Sequence, residues 1–338
     1  MSRTRLTTTV FAWMLACVIG APALAQQDPP GYQVPLGIAL EGYPYPYPVQ
    51  SLPLEIEGQM LRMSYMDVPG AGSGNGRAVV LFHGKNFAGD YWENTIRALS
   101  AAGFRVVAPD QIGFGKSSKP DIRYSWDLLA ANTAKLLDSL NIKQVVVIGN
   151  SMGGLLAVRF ARLYGDRVTH LVLENPLGLE DYRINIPPQA TDNLVKLEMA
   201  QTTQSYRNFL RSYFPTWKPE FERFVEVYSR VQKSPEYPRF AKVSALTYQM
   251  IYEQPVRHEL AALKMPTLLA IGQLDRTVFG RRFAPPEAVK PLGNFPALGK
   301  AAAREVPNAR LVEFDGVGHV PHLEVPEKFH RAVLDFLN

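Results

Sequence analysis

From about residue 54 the chain alternates between two hydrophobic periods. Ala78 to Phe82, Arg105 to Ala108, Val145 to Ile148 and Leu171 to Leu173 are short β-branched or apolar runs with the length of buried strands. Leu54 to Ile56 and Leu61 to Met66 flank Gly58 as a hairpin. Between these runs, Asp90 to Ala102, Ser125 to Leu140 and Met152 to Tyr164 carry apolar residues at helical spacing, with Asn141 and Gly165 as stops. The alternation predicts an α/β fold, a mostly parallel central sheet with helices on both faces. In such sheets the ligand site lies at the carboxyl ends of the strands.

The rhythm breaks after Asn175-Pro176. Residues 177–262 lack strand-like runs and read as helices interrupted at Pro187-Pro188, Pro215, Pro235 and Pro255. Strands and helices resume with Thr267 to Ile271, Ala297 to Glu305, Arg310 to Phe314 and a closing helix from Pro326. The expected organisation is therefore a core in two parts, 53–176 and 263–338, with a helical cap, 177–262, inserted between them. Gly280 to Leu298, rich in proline, reads as a long surface loop.

The N-terminus follows neither period. Arg3 and Arg5 precede an apolar run from Val10 to Ile19, and Ala23-Leu24-Ala25 places small residues where a signal peptidase cuts. Residues 1–25 thus read as a secretory signal, predicting a periplasmic or secreted protein without stable membrane insertion after cleavage. A membrane anchor would need about 20 consecutive apolar residues, and this run is shorter. A lipoprotein site at Cys17 is the lesser alternative. Residues 26–52, with Tyr43-Pro44-Tyr45-Pro46-Tyr47-Pro48, form an extended Pro/Tyr-rich arm expected to pack its tyrosines on the body. Cys17 is the only cysteine, so the mature chain has no disulfide and relies on packing. Loss of Arg3 and Arg5 lowers the formal charge of +5 by two, too little to argue for a nucleic-acid partner. A 46% hydrophobic, 20% charged composition without charge blocks excludes a largely disordered chain.

The chemistry centres on Gly149-Asn150-Ser151-Met152-Gly153-Gly154, between an apolar strand and an apolar-periodic helix. This is the context a G-x-S-x-G nucleophile elbow requires, because a sharp strand-to-helix turn needs small neighbours around the serine. A serine hydroxyl is a weak nucleophile and needs a base. Downstream, Asp275 follows the strand Thr267 to Ile271, and His319 follows Arg310 to Phe314, in the order acid then histidine. In this reading His319 takes the Ser151 proton, and Asp275 orients the imidazole. Glu174 is the alternative acid and His322 the alternative base. His319 and His322 alone do not close a metal site, and neither metal nor cofactor is expected. His83, His170, His258 and His330 read as packing or surface residues, His83 shaping its loop. The oxyanion donors are assigned to the N–H groups of Met152 and Lys85, with Asn86 beside them.

Together with His83-Gly84, Asp110 to Ser117, Gly272 to Asp275 and Gly318-His319-Val320-Pro321 running into Glu324, these motifs resemble the α/β-hydrolase superfamily. The resemblance extends over about residues 77–326. It is closest to capped members that include esterases, C–C bond hydrolases and epoxide hydrolases. It implies the triad above, a cap at 177–262 and a scaffold role for the loop from Asp110. Serine rather than aspartate at the elbow argues against epoxide hydrolysis. The elbow sequence is also similar to that of C–C hydrolases of ring-cleavage products. The leading expectation is a serine hydrolase of small to medium uncharged carboxylic esters, with a C–C hydrolase and a ligand-binding protein as alternatives. The substrate expectation rests on an aromatic stripe from Tyr182 to Tyr228 that packs and lines an apolar cavity, which Arg183, Arg207 and Arg211 could reach.

Overall fold

The computed structural model describes residues 30–338. Residues 1–25, read above as a secretory signal, and with them Cys17, lie outside the described residues. Eight strands form one sheet: β1 (Val49–Ile56), β2 (Gln59–Val68), β3 (Ala78–Phe82), β4 (Arg105–Pro109), β5 (Val145–Asn150), β6 (Val168–Glu174), β7 (Thr267–Gly272) and β8 (Ala309–Phe314). Their order is β1-β2-β4-β3-β5-β6-β7-β8. β1 and β2 run antiparallel to their neighbours, and the remaining pairs are parallel. β1 starts several residues before the expected hairpin strand, inside the stretch assigned to the arm. It can carry Pro53 because it is an edge strand, where one row of backbone groups needs no ladder partner.

Every residue of β3, β5 and β7 is buried, as expected where helices cover both faces. The period of two divides them between two cores. Val80, Phe82 and Val147 pack with Leu129 and Phe160 on one face, whereas Val79, Leu81 and Ile148 pack with Trp92, Ile96 and Phe329 on the other. The first core is roofed by α2 (Trp126–Ser139) and α3 (Met152–Leu163), the second by α1 (Glu93–Ala101). The Ser125 side chain caps α2 by accepting from Leu128 N–H, worth about 1 kcal/mol. Asn141 takes the left-handed conformation just past the end of that helix.

Between β6 and β7 the chain is helical throughout, in α4 (Thr191–Met199), α5 (Thr203–Arg211), α6 (Glu222–Val231), α7 (Tyr237–Glu253) and short 3-10 turns. The stretch expected as a surface loop, 280–298, differs from that reading. It contains α8 (Pro286–Val289) and the start of α9 (Phe295–Glu305), and buries Val289 and Phe295 in the first core. Proline at the first turn of each helix costs no hydrogen bond, so a proline-rich stretch here starts helices instead of excluding them. The chain ends with α10 (Pro321–Glu324) and α11 (Pro326–Leu337), the latter on the second core.

The N-terminal arm packs closely. Leu36, Ile38 and Leu40 form a third core with Val231 and Tyr237, each buried aliphatic side chain contributing about 1.5–3 kcal/mol. Lys116 Nζ donates to Leu40 O (2.7 Å), and Tyr45 OH donates to Asp110 Oδ2 (2.8 Å), tying the arm to the loop after β4. No helix among the described residues is long and apolar enough to cross a membrane.

Candidate active site

Ser151 stands between β5 and α3 with φ 56° and ψ −117°, a conformation that costs a non-glycine residue about 1–3 kcal/mol. Its neighbours hold it there. A Cβ on Gly149 would lie 2.2 Å from Gly153 O, and one on Gly153 would lie 2.1 Å from Phe82 O, so the turn closes only with glycine at both places. Ser151 N–H donates to Glu174 O (3.1 Å), fixing the turn against the end of β6.

The structure brings Asp275 and His319 together: His319 Nδ1 and Asp275 Oδ2 are 2.7 Å apart, both side chains buried. Asp275 also accepts from Asn175 Nδ2 (2.7 Å) and from Thr277 N–H (2.8 Å). Burial pushes this carboxyl up, but the His319 charge and hydrogen bond together with Thr277 outweigh it, holding Asp275 below the usual aspartate range. His319 Nε2 is buried without a hydrogen-bond partner, which leaves the ring nitrogen opposite the carboxylate unengaged.

Glu174 and His322 pair with each other instead. His322 Nδ1 lies 2.8 Å from Glu174 Oε2, and His322 N–H donates to Glu174 Oε1 (2.7 Å). The two neighbouring histidines thus face different carboxylates. Among the described residues no group of three or more His, Cys, Asp or Glu side chains is placed to hold a metal. His83 is a buried loop-shaping residue, its Nε2 accepting from Gln111 N–H (3.1 Å) and its Nδ1 lying 2.9 Å from Gly84 O. Burial lowers its pKa, in keeping with a neutral ring. His258 is exposed, and His170 and His330 pack at the periphery.

The loop after β3 runs beside the elbow: a Cβ on Gly84 would sit 3.4 Å from Ser151 Cβ. Lys85 and Asn86, together with Ser151, line a cavity of about 670 Å3, and Met152 is wholly buried at the first position of α3. The Lys85 ammonium turns away from the elbow toward Ser244 O (3.1 Å) and Thr247 Oγ1 (3.2 Å) of α7. Burial lowers its pKa to about 8, with Glu198 opposing the shift and Arg282 adding to it.

Three residues to which the sequence reading gave no role of their own organise the site. Tyr91 OH accepts from Gly84 N–H (3.0 Å) and donates to Asn150 Oδ1 (3.2 Å), while Asn150 Nδ2 donates to Glu174 O (3.2 Å) and His319 O (3.1 Å). Glu324 accepts from Gly318 N–H (3.0 Å) and Val320 N–H (3.1 Å), clasping His319 from both sides. Only the polar residue inside the elbow, and a glutamate five positions past the histidine, hinted at these roles.

Part of the aromatic stripe reaches the cavity. Tyr206, Phe209, Tyr213, Phe224 and Tyr228 line it, while Tyr182, Phe214, Trp217 and Phe221 pack elsewhere. Tyr213 joins the helical stretch to the site: its carbonyl accepts from His319 N–H (2.8 Å) and its hydroxyl from Asn86 Nδ2 (3.0 Å). The arginines expected within reach are engaged elsewhere, Arg183 with Asp181, Arg207 with Glu222 and Arg211 over the Trp217 ring. Arg276, Arg281 and Arg282 line the cavity instead, as exposed residues of the segment after Asp275.

The comparisons with known proteins fit this geometry. The model of the alpha/beta hydrolase fold family matches residues 77–326. A solved structure of a probable hydrolytic enzyme from Pseudomonas aeruginosa PAO1 is 45% identical, with a TM-score of 0.89 over 91% of this chain and 99% of that one. A 2-hydroxy-6-oxononadienedioate/2-hydroxy-6-oxononatrienedioate hydrolase of Burkholderia vietnamiensis is 30% identical over 83% of this chain and 92% of its own. A 2-hydroxy-6-oxo-6-phenylhexa-2,4-dienoate hydrolase of Burkholderia cepacia is 29% identical over 78% and 89% respectively. With the sheet order, the elbow and a family match over most of its length, this chain belongs to the α/β-hydrolase fold family and is a hydrolase.

Proposed function

We propose that the protein is a serine hydrolase in which Ser151, His319 and Asp275 act as one unit on small to medium uncharged carboxylic esters. The observation that carries the reading is the buried Asp275–His319 pair, whose free Nε2 belongs to the histidine held against the strained Ser151 elbow through Asn150. His319 accepts the Ser151 proton as Oγ attacks the ester carbonyl. The oxyanion is held by the N–H groups of Met152 and Lys85, each worth about 3 kcal/mol in the transition state. His319 then protonates the departing alcohol, and water, activated by the same base, releases the acid. The helices of 177–262 serve as a cap, and their aromatic rings make the cavity mostly apolar. For residues 1–25 we infer a secretory signal; N-terminal sequencing of the exported protein would then begin at Gln26.

The test is turnover of aryl esters of graded acyl length by wild type and Ser151→Ala, with fluorophosphonate labelling alongside. Wild type is expected to prefer short to medium acyl chains, and Ser151→Ala to lose turnover by several orders of magnitude together with the label. Labelling at another serine would refute the assignment. A second reading, C–C bond hydrolysis, is favoured by the two Burkholderia relatives and by the cationic side of the cavity at Arg276, Arg281 and Arg282. Cleavage of a vinylogous 1,5-diketone carboxylate with no ester turnover would select it.

A further inference from the structure

The cavity contains a buried carboxyl that the proposed chemistry does not use. Asp90 lines it and is only 8% exposed. Among the described residues no other residue donates a hydrogen bond to this carboxyl and none forms an ion pair with it. Its neighbour Asp110 shows the contrast. Asp110 is also buried, but it accepts from Gly89 N–H (2.6 Å), Lys116 N–H (2.7 Å) and Tyr45 OH (2.8 Å). Lys119, on the same side, gives its ammonium protons to Gly115 O and Ser117 O. The Asp90 carboxyl has only its own backbone N–H and opens onto the cavity, so a ligand donor there would meet an acceptor that no other residue engages.

The arm encloses this end. Leu40 and Tyr43 line the cavity, and Leu40 is held in place by the Lys116 ammonium on its carbonyl. Tyr43 is close enough to feel the Asp90 charge, which adds to burial in raising its own pKa to about 12. Burial likewise raises Asp90 to about 7, with Asp110 adding to the rise and the positive charges of Arg223 and Lys116 opposing it. Arg223 pairs with Glu93 and the Lys116 ammonium with Leu40 O, so neither cation occupies the acceptor and a neutral donor can reach it.

We propose that this end of the cavity is a substrate subsite in which Asp90 accepts a hydrogen bond from a hydroxyl, aliphatic or phenolic, on the part of the substrate that is not attacked, with Leu40 and Tyr43 enclosing its apolar stem. The proposal deepens the serine-hydrolase reading and rests on it for the position of the scissile bond. The arm thereby becomes a determinant of specificity that lies outside the family-matched residues 77–326.

Aryl alkyl ketones of graded chain length, made in pairs that end in hydroxyl or methyl, probe the subsite without bond cleavage. Calorimetric titration of the whole protein should show the hydroxyl member binding about 10-fold tighter at one chain length. The ratio should fall to about one in Asp90→Leu and be partly kept in Asp90→Asn, whose amide oxygen still accepts. Absence of binding, absence of preference at every length, or a preference that survives in Asp90→Leu would overturn the proposal. So would tighter binding of an ammonium-ended ketone. Fluorophosphonate labelling of Ser151 is read separately, so its loss with the ketone preference intact would fault the nucleophile and leave the subsite standing.

Discussion

The molecule holds two buried histidine–carboxylate pairs three residues apart, and they have nearly the same geometry. His319 meets Asp275 at 2.7 Å, His322 meets Glu174 at 2.8 Å, and in both rings Nε2 has no hydrogen-bond partner. Their surroundings differ. His322 is stacked on Trp92 at 3.9 Å between centroids and edged by Tyr91, deep in the second core. His319 sits in a loop clasped by Glu324, against the cavity-lining ring of Tyr213. A histidine–carboxylate pair is therefore not a catalytic signature by itself. What distinguishes the two is the packing around the ring, and under the proposed function it is His319, beside the cavity-lining Tyr213, that serves Ser151.

The sharpest way to break this comparison is to neutralise each acid in turn. Asp275→Asn should lower kcat/KM by about 10⁴, because the imidazole loses the charge that stabilises its protonated form and fixes its tautomer. Glu174→Gln, measured on the same ester, should stay within about 10-fold of wild type. Equal losses, or the reverse order, would transfer the catalytic acid to Glu174.

The Glu174–His322 pair should show its weight in stability. Glu174 anchors the elbow through its carbonyl, which accepts from Ser151 N–H and Asn150 Nδ2, so its side-chain pair with His322 braces the turn from beneath. Removing one member of a fully buried pair costs about 3–5 kcal/mol, whereas replacing both with apolar residues of similar volume is often nearly neutral. Denaturant unfolding of Glu174→Leu, His322→Phe and the double variant should show that pattern. Single variants within 1 kcal/mol of wild type would mean the pair braces nothing.

Much of this was legible beforehand, for identifiable reasons. β3, β5 and β7 announce themselves because strands buried on both faces are continuous apolar runs, and the elbow because its glycines are sterically required. That Asp275 and His319 would meet follows from chain order. The partners that position them do not, since Tyr91, Asn150 and Glu324 act through contacts between segments far apart in the chain. The 280–298 stretch was misread because a proline that starts a helix looks like one that ends it. Asp90 carries no local pattern at all, and its isolation becomes visible only beside the three donors on Asp110.

The smallest expected effect tests the clasp around His319. Burial raises the Glu324 carboxyl from 4.5 to about 7, against the lowering influence of the Gly318 and Val320 N–H groups. The folded protein then holds a proton on Glu324 between about pH 4.5 and 7 that the unfolded chain has released. The stability this group contributes is full below 4.5 and is lost as pH rises through 7. Glutamine can accept from both N–H groups through its single oxygen, yet it does not titrate. Glu324→Gln should therefore gain on wild type as pH goes from 5 to 8, by about 1–3 kcal/mol in unfolding free energy. Asp90 and the titrating groups not coupled to Glu324 are common to both proteins and cancel in the difference, whereas His319 and Asp275, whose charges act on Glu324, set the width of the stated range. Unfolding curves that stay parallel over this range would show that Glu324 is already ionised at pH 5, and that the loop holding His319 is clasped by a charge throughout.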